Sequence, residues 1–195
     1  MSGKVGGNGR KLESGWPVPL QFDNARSGLR VPGTAKLSRM NPTSDELWME
    51  EALRLAERSA AAEEVPVGAV IVCDGVIVGR GWNQTIAACD PTAHAEMIAL
   101  REASAHAGNY RLPGCDLYAT LEPCAMCAGA LVHARLRRLV YGAPDPKAGA
   151  AGSVLSVVNH PALNHRMQVT AGVLAGRCME MLQAFFRQRR AEHAP

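Results

Sequence analysis

The chain has 195 residues, of which 47% are hydrophobic and 20% charged, and its formal net charge is +3. This length suits one catalytic domain with its own core, and the longest apolar run is interrupted by Asp74, which excludes a membrane-spanning helix. The first ten residues are polar and rich in glycine and lack the apolar core of a secretory signal. We therefore expect a cytoplasmic protein that uses cysteine for metal or redox chemistry.

Residues 1–40 are predicted to form a disordered basic tail. They hold seven of the 21 Lys and Arg residues but two of the 18 acidic residues, together with seven Gly and three Pro. Such a composition buries too little apolar surface to offset the entropy lost on ordering. Two interpretations stay open: Met40 is the true start, or the tail is a cationic arm that adds weak, salt-sensitive attraction to RNA.

The ordered domain is predicted over residues 43–191 and begins with a helix. Thr43 and Glu46 form a capping-box pattern, and apolar or small residues follow at helical spacing. These positions are Trp48, Ala52, Leu55, Ala56 and Ser59. Two runs rich in β-branched residues, 67–73 and 76–82, are separated by Asp74-Gly75, which predicts a β-hairpin.

The remaining elements alternate between helices and strands. Thr92 can cap a second helix that runs to about Ala107 and carries His94 and Glu96 in its first turn. Further predicted elements are a strand over 115–120, a helix over 124–135, strands over 138–142 and 167–169, and a last amphipathic helix over 172–190. This alternation predicts a layered α/β fold.

A zinc site is predicted from His94 and the pair Cys124 and Cys127. Three ligands leave the fourth position of a tetrahedral zinc open, which is typical of catalytic sites, and water bound there has a pKa of about 7. Glu96 stands two residues after the His and is not a ligand, so it is the candidate proton carrier. His-x-Glu followed by Pro-Cys-x-x-Cys is the signature of zinc deaminases that act on nucleobases.

Two other interpretations of these residues are weaker. A structural zinc knuckle needs a fourth ligand at short spacing, and none of His106, His133, His160 and His165 clearly supplies one. A redox Cys pair leaves Glu96 without a role. The other four cysteines fit no ligand spacing, and we expect them to be ordinary thiols packed as small hydrophobic residues. They are Cys73, Cys89, Cys115 and Cys178.

Most of the chain, from Glu46 to Arg190, resembles the bacterial tRNA-specific adenosine deaminases. The matching segments extend well beyond the predicted zinc ligands. They are EVPVGAV at 64–70, GWN at 81–83, DPTAHAE at 90–96, NYRL at 109–112, TLEPC at 120–124, GAAGS at 149–153, NHR at 164–166 and FFR at 185–187.

The resemblance implies a cytidine deaminase-like fold, a three-layer α/β/α sandwich with a central mixed five-stranded sheet. It implies an enzyme that hydrolyses the wobble adenosine of a tRNA anticodon to inosine, with one zinc ion per subunit. The implied zinc ligands are His94, Cys124 and Cys127, and the implied proton shuttle is Glu96.

The same resemblance implies how the substrate is held. Asn83 would touch the flipped-out nucleotide, and the loop that contains Asp145 would lie beside the RNA strand. The implied partners are the anticodon stem-loop, approached by the basic last helix, and a second copy of the chain in a homodimer. Pro144 and Pro146 flank Asp145 and stiffen a loop that is less constrained in relatives.

Two rival functions keep part of this pattern. A free-base deaminase, for example one acting on guanine, would use the same zinc chemistry without an RNA groove. A nucleic-acid-binding protein without catalysis would bind tRNA and release no ammonia.

Overall fold

The computed structural model describes residues 44–192, so the predicted tail over residues 1–40 and the capping residue Thr43 lie outside the described part. The described part contains five strands and four helices. In chain order they are α1 (Ser44–Ala61), β1 (Gly68–Cys73), β2 (Val76–Trp82), α2 (Ala95–Ala107), β3 (Asp116–Leu121), α3 (Ala125–His133), β4 (Arg138–Ala143), β5 (Gln168–Ala171) and α4 (Ala175–Glu192). None of these helices combines the length and the apolar character that crossing a bilayer requires.

The five strands form one mixed sheet in the order β2-β1-β3-β4-β5. β1 pairs antiparallel with both β2 and β3, whereas β3, β4 and β5 run parallel. The segment β3-α3-β4 is therefore a parallel crossover unit. In such units ligand sites form at the carboxyl ends of the strands, and here that edge is where β3 leads into α3.

Side chains alternate between two buried layers on opposite faces of the sheet. On one face Ile71, Leu117 and Leu139 pack with residues of α2 and α3. On the other face Val70 and Val140 pack with residues of α1 and α4. Strands buried on both faces need apolar residues at every position, and this explains their continuous β-branched runs. The predicted three-layer α/β/α sandwich with a mixed five-stranded sheet is confirmed.

The predicted hairpin is also present, and its turn explains its sequence. Asp74 and Gly75 both have positive φ, 49° and 75°, as a two-residue turn between right-twisted strands requires. The helix boundaries differ more from the prediction. α2 begins at Ala95 rather than after Thr92, because the Thr92 N–H and hydroxyl both bond to Asp90 Oδ1 at 2.7 Å.

The last helix also begins later than predicted, at Ala175 rather than Gly172. Gly172 and Leu174 have positive φ, 86° and 52°, so the chain turns here before the helix starts. Of the predicted inward residues, Cys178 is fully buried and the others are half-buried. They are Leu174, Met181, Leu182 and Phe185.

Cys73 at the end of β1 and Cys115 just before β3 are neighbours across the sheet, with Cα atoms 4.4 Å apart. The register places Val72 opposite Asp116, so the next pair along the antiparallel ladder is Cys73 and Cys115. Their separation of 42 residues gave no sign of this pairing. Cys178 is a buried thiol, as predicted, whereas Cys89 is exposed, so the prediction of a packed thiol is wrong at Cys89.

Two glycines of β2 allow α2 to lie directly on the strand. A Cβ at Gly81 would overlap the carbonyl oxygen of Ala95 and lie 2.6 Å from the backbone nitrogen of Ala99. Gly79 makes the same close approach to Ala99 and Ala103 one turn further along α2. Backbone atoms cannot move aside as side chains do, so these positions fix the distance between α2 and the sheet.

We predict that Gly81→Ala lowers the free energy of unfolding by about 1–3 kcal/mol, because the added methyl group overpacks the contact with α2. Urea unfolding measures the change. The control is Gly176→Ala on α4, where a Cβ would have no neighbour within 4 Å. That change should leave stability equal or slightly higher, since alanine favours helix. Equal effects of the two substitutions would contradict the close packing of α2 on β2.

Candidate active site

The starts of two helices meet at one point beside the carboxyl end of β3. His94 is the N-cap residue of α2, with extended backbone angles of φ −76° and ψ 152°. Cys124 is the N-cap residue of α3, and Cys127 lies in its first turn. The donor atoms of these three residues all lie within 4.8 Å of one another. The structure therefore brings together the three residues that the sequence pattern selected.

The spacing of the donor atoms fits a tetrahedral zinc ion. His94 Nδ1 lies 3.7 Å from Cys124 Sγ and 3.6 Å from Cys127 Sγ. A zinc with bonds of about 2.3 Å to sulfur and about 2.0–2.1 Å to nitrogen separates the two atoms by about 3.6 Å. One imidazole and two thiols are also the donor types that zinc prefers.

Glu96 lies beside these donor atoms and is 4% exposed. Burial raises the pKa of its carboxyl to about 6, against the lowering effects of its own backbone N–H, the nearby His94 and a hydrogen bond with Cys127. A carboxyl with such a pKa can accept and return a proton near neutral pH. His94 and Glu96 can lie close to the same point because the helix begins between them. His94 has an extended backbone, whereas Glu96 has a helical one.

The two thiols have different pKa values. Hydrogen bonds from Cys127 and His94 lower the pKa of Cys124 to about 3. The pKa of Cys127 is raised, through its hydrogen bond to Cys124 and through burial. The hydrogen bond to Cys124 also raises the pKa of His94, against the effect of burial. Negative charge thus collects on Cys124 at the positive end of the α3 dipole.

The loop from Asn83 to Pro91 is held on one side by Asn83 itself. Its side-chain Oδ1 accepts a hydrogen bond at 2.9 Å from the N–H of Ala95, the first residue of α2. Its backbone oxygen accepts a bond of 3.3 Å from the Ser59 hydroxyl. Asn83 is 9% exposed, and its bond to the Ala95 N–H supports the start of the helix that follows His94.

Two buried glutamates near the site were not singled out from the sequence. Glu64, 1% exposed, accepts hydrogen bonds from the Thr85 hydroxyl at 3.0 Å and from the N–H groups of Ile86 and Ala87 at 2.8 Å. Glu122 makes a similar set of bonds to the loop that contains Asp145. Burial acts to raise the pKa of Glu122, but hydrogen bonds from that loop outweigh it and lower the pKa. The sequence offered one sign of both glutamates, which is that each acidic residue is followed directly by apolar residues.

The side chain of Asp145 is turned toward its own loop. Its Oδ1 accepts hydrogen bonds from the N–H groups of Lys147 at 2.9 Å and Ala148 at 3.2 Å. Asp145 is half-buried, and the loop also lines an open cavity of about 520 Å³ whose other walls include Leu182 and Phe186 of α4. Asp145 thus lies beside a cavity, at a different place from the three metal-ligand candidates.

The basic end of α4 divides into two parts. Arg189 donates a 2.8 Å hydrogen bond to the carbonyl of Glu63 after α1, and this contact anchors the helix. Arg187 and Arg190 instead line a second cavity with Lys147 and Phe186. Phe185 and Phe186 are adjacent on the helix, so they cannot both face the core, and Phe186 is the exposed one. Phe186 lines both cavities.

Comparison with known proteins decides the family. Residues 42–143 match the family model of the cytidine and deoxycytidylate deaminase zinc-binding region. The tRNA-specific adenosine deaminase of Haemophilus influenzae is 52% identical over 149 residues, 76% of this chain and 86% of that protein. The chain belongs to the tRNA-specific adenosine deaminase family. The member from Bacillus subtilis is 45% identical over 76% of this chain and 92% of its own length.

Solved structures agree with this family assignment. One from a study of A-to-I editing by tRNA deaminases at the wobble position superposes with a TM-score of 0.67 at 45% identity, covering 69% of this chain and 98% of that one. A guanine deaminase from Nitrosomonas europaea superposes with a TM-score of 0.60 at 26% identity, covering 72% of this chain and 83% of that one. The fold is shared by both classes, whereas the sequence is much closer to the tRNA deaminases.

In this family member we predict that Asn83→Ala lowers the free energy of unfolding by about 1–3 kcal/mol, because the buried Ala95 N–H loses its acceptor. Thermal or urea unfolding measures the loss. The control is Asn109→Ala, which removes an exposed 3.0 Å bond from the Arg111 N–H and should change stability by less than about 0.5 kcal/mol. Equal losses would show that Asn83 does not support the start of α2.

Proposed function

We propose that this chain is a cytoplasmic, zinc-dependent enzyme that hydrolyses the wobble adenosine of a tRNA anticodon to inosine and ammonia. The observation that carries the proposal is the open set of three ligands with a buried carboxylate beside it, in a chain 52% identical to a tRNA-specific adenosine deaminase. An open set with an acid beside it suits hydrolysis rather than structural metal binding.

His94, Cys124 and Cys127 are the residues that would hold the zinc ion. When bound, zinc polarises a water molecule and lowers its pKa toward about 7. The fit of the nitrogen–sulfur distances and the starts of two helices around the thiols support this assignment. The starts of α2 and α3 place backbone dipoles that favour the negative thiolates.

Glu96 carries the protons in the proposed reaction. Its carboxylate takes a proton from the attacking water and transfers it to the ring nitrogen next to the reacting carbon, while the water oxygen bonds to that carbon. The same carboxylate then takes the second proton from the hydroxyl group now bonded to that carbon and delivers it to the amino group. The carbon–nitrogen bond breaks, ammonia leaves, and the carbonyl group of inosine remains. The raised pKa of Glu96 suits a group that both accepts and donates protons.

The surface between α4 and the loop with Asp145 suits a single-stranded RNA loop. The two cavities between α4 and the loop with Asp145 share an apolar floor that includes Leu182 and Phe186, and their rim carries Lys147, Arg187 and Arg190. Aromatic and apolar surfaces stack bases, and Lys and Arg bind phosphates. An anticodon loop is already unpaired, so presenting one base to the site costs little unstacking.

Asn83 and Asp145 are the proposed contacts to the substrate. Because Oδ1 of Asn83 is used by the Ala95 N–H, we infer that its amide nitrogen is the group offered to the base. The Asp145 carboxylate already organises its own turn through Oδ1, so its contact with RNA would come from the face of that turn. Deamination of a free base such as guanine is the weaker alternative, since the guanine deaminase relative is only 26% identical.

We also propose a homodimer, as the family resemblance implies. Tyr110, which follows α2 in the chain, is 65% exposed and lines an open cavity of about 510 Å³ together with residues of α2 and α3. Light scattering coupled to gel filtration should give about twice the chain mass of 20.8 kDa. A mass of one chain at micromolar concentration would overturn this part of the proposal.

We predict that Glu96→Ala lowers the conversion of adenosine to inosine by about 10²–10⁴-fold or more, because the reaction loses its proton carrier. The substrate is an anticodon stem-loop with adenosine at the wobble position, and ammonia and inosine are both measured. Zinc content, determined by mass spectrometry of the purified protein, should stay at one ion per chain.

The exposed Glu57 on α1 supplies the control, and Glu57→Ala should keep full activity. Free guanine serves as the second substrate. If the stem-loop is not converted and guanine is turned over rapidly, the free-base alternative is favoured. Undiminished turnover by Glu96→Ala would contradict the proposed mechanism. Binding of RNA without ammonia release by the wild type would identify a binding protein.

A further inference from the structure

Glu122 is a buried carboxylate for which the proposed reaction has no use. It stands between the last residue of β3 and Pro123, two residues before Cys124, and is 2% exposed. Its backbone N–H bonds to the Ala143 carbonyl at 2.9 Å, so it joins the carboxyl ends of the parallel strands β3 and β4. A buried carboxylate costs much free energy unless its oxygens are hydrogen-bonded.

Its side chain collects hydrogen bonds from one loop, residues 144–153, which we call the substrate loop. Oε1 accepts from the N–H groups of Ala151 at 2.9 Å and Ser153 at 3.1 Å. Oε2 accepts from the N–H of Asp145 at 3.1 Å and from the Ser153 hydroxyl. Four donors from both ends of the substrate loop therefore converge on one carboxylate.

The substrate loop is shaped to receive this carboxylate. A Cβ at Gly149 would lie 2.5 Å from both Cδ and Oε2 of Glu122, so only glycine fits there. The loop backbone is also tied to the start of α3, because the Ala150 N–H donates a 2.8 Å bond to the carbonyl of Pro123 and Gly149 forms a bridge with Cys124. Glu122 thus lies at the junction between the loop and the helix that carries the thiols.

We propose that Glu122 is a positioning residue that fixes the substrate loop, and with it Asp145, in the conformation that receives the RNA strand. The statement about the loop rests on geometry alone, and the part about RNA rests on the function proposed above. Glu122 touches neither the reacting base nor the metal in this assignment. Its effect on activity passes through the backbone of the loop.

Glutamine at position 122 separates hydrogen bonding from side-chain size. A carboxamide has nearly the same shape as a carboxylate but offers one accepting oxygen instead of two. In either orientation its NH₂ group would face backbone N–H donors, those of Ala151 and Ser153 or that of Asp145. At least one end of the substrate loop must therefore come loose, while the core around position 122 stays filled.

Three measurements on Glu122→Gln test the proposal in the full-length protein. Hydrogen exchange at the amides of Asp145, Ala151 and Ser153 should become about tenfold faster or more, since a hydrogen bond to a charged group protects each of them. KM for the stem-loop should rise by about tenfold with a smaller change in kcat, because the substrate loop then loses its conformational entropy when RNA binds. Zinc content should be unchanged.

Glu57→Gln is the matched control, since the same change at an exposed glutamate of α1 should leave all three measurements as in the wild type. If Glu122→Gln does not fold, Ser153→Ala removes only the hydroxyl donor and should increase loop exchange to a smaller extent. Unchanged loop exchange in the variants that fold would overturn the proposal. Faster loop exchange in a protein whose wild type leaves the stem-loop unconverted would support the positioning of the loop and reject the RNA function.

Discussion

The site depends on one constraint, which is that two helices begin at the same point beside the carboxyl end of β3. A helix start leaves backbone N–H groups without partners within the helix and carries a partial positive charge. The thiolate of Cys124, whose pKa is lowered, is stabilised at such a point. The small residues on the contact between β2 and α2 set how closely the second helix start approaches. Gly79 and Gly81 therefore influence the site without facing it.

The sequence alone predicted a layered α/β fold and the hairpin, and it selected three residues whose donor atoms the structure brings together. It could do so because alternation of β-branched runs with amphipathic segments and the spacing of candidate ligands are local signals. The way His94 and Glu96 reach the same place was not predictable in detail. On an ideal helix they project about 200° apart, and the conflict disappears only because the helix begins one residue after His94. Helix boundaries depend on side-chain hydrogen bonds, here the local bond from the Thr92 N–H to Asp90 and the longer-range bond from the Ala95 N–H to Asn83.

Features that arise from strand register and long-range burial escaped the sequence analysis. The pairing of Cys73 with Cys115 follows from the antiparallel ladder of β1 and β3, which no local pattern specifies. In the sequence Glu64 and Glu122 cannot be told from exposed acidic residues. In the fold both are buried and accept hydrogen bonds from loops. The tail over residues 1–40 stays a prediction, since the structure describes residues 44–192.

Three buried carboxyl groups around one site take different roles because their surroundings differ. Glu96 lies among few donors, so burial dominates and its pKa rises toward the range in which it can exchange protons. Glu122 lies among four donors, which lower its pKa and keep it charged. Glu64 accepts three hydrogen bonds and holds the loop that leads to His94. A carboxyl group that transfers protons cannot have all of its acceptor positions occupied by hydrogen bonds. In this structure proton transfer is therefore assigned to Glu96, and the holding of loops to Glu64 and Glu122.

This separation bears on how an RNA loop would bind. The substrate loop has two prolines, which restrict its φ angles, and a buried carboxylate that gathers both of its ends. The entropy of ordering that loop is therefore lost once, when the chain folds, and is not lost again when a ligand binds. Pro144 and Pro146 reduce the states open to the unfolded loop, and Glu122 selects one of those that remain. A loop ordered in this way favours one RNA conformation over others, because adapting to a different strand would require breaking buried hydrogen bonds.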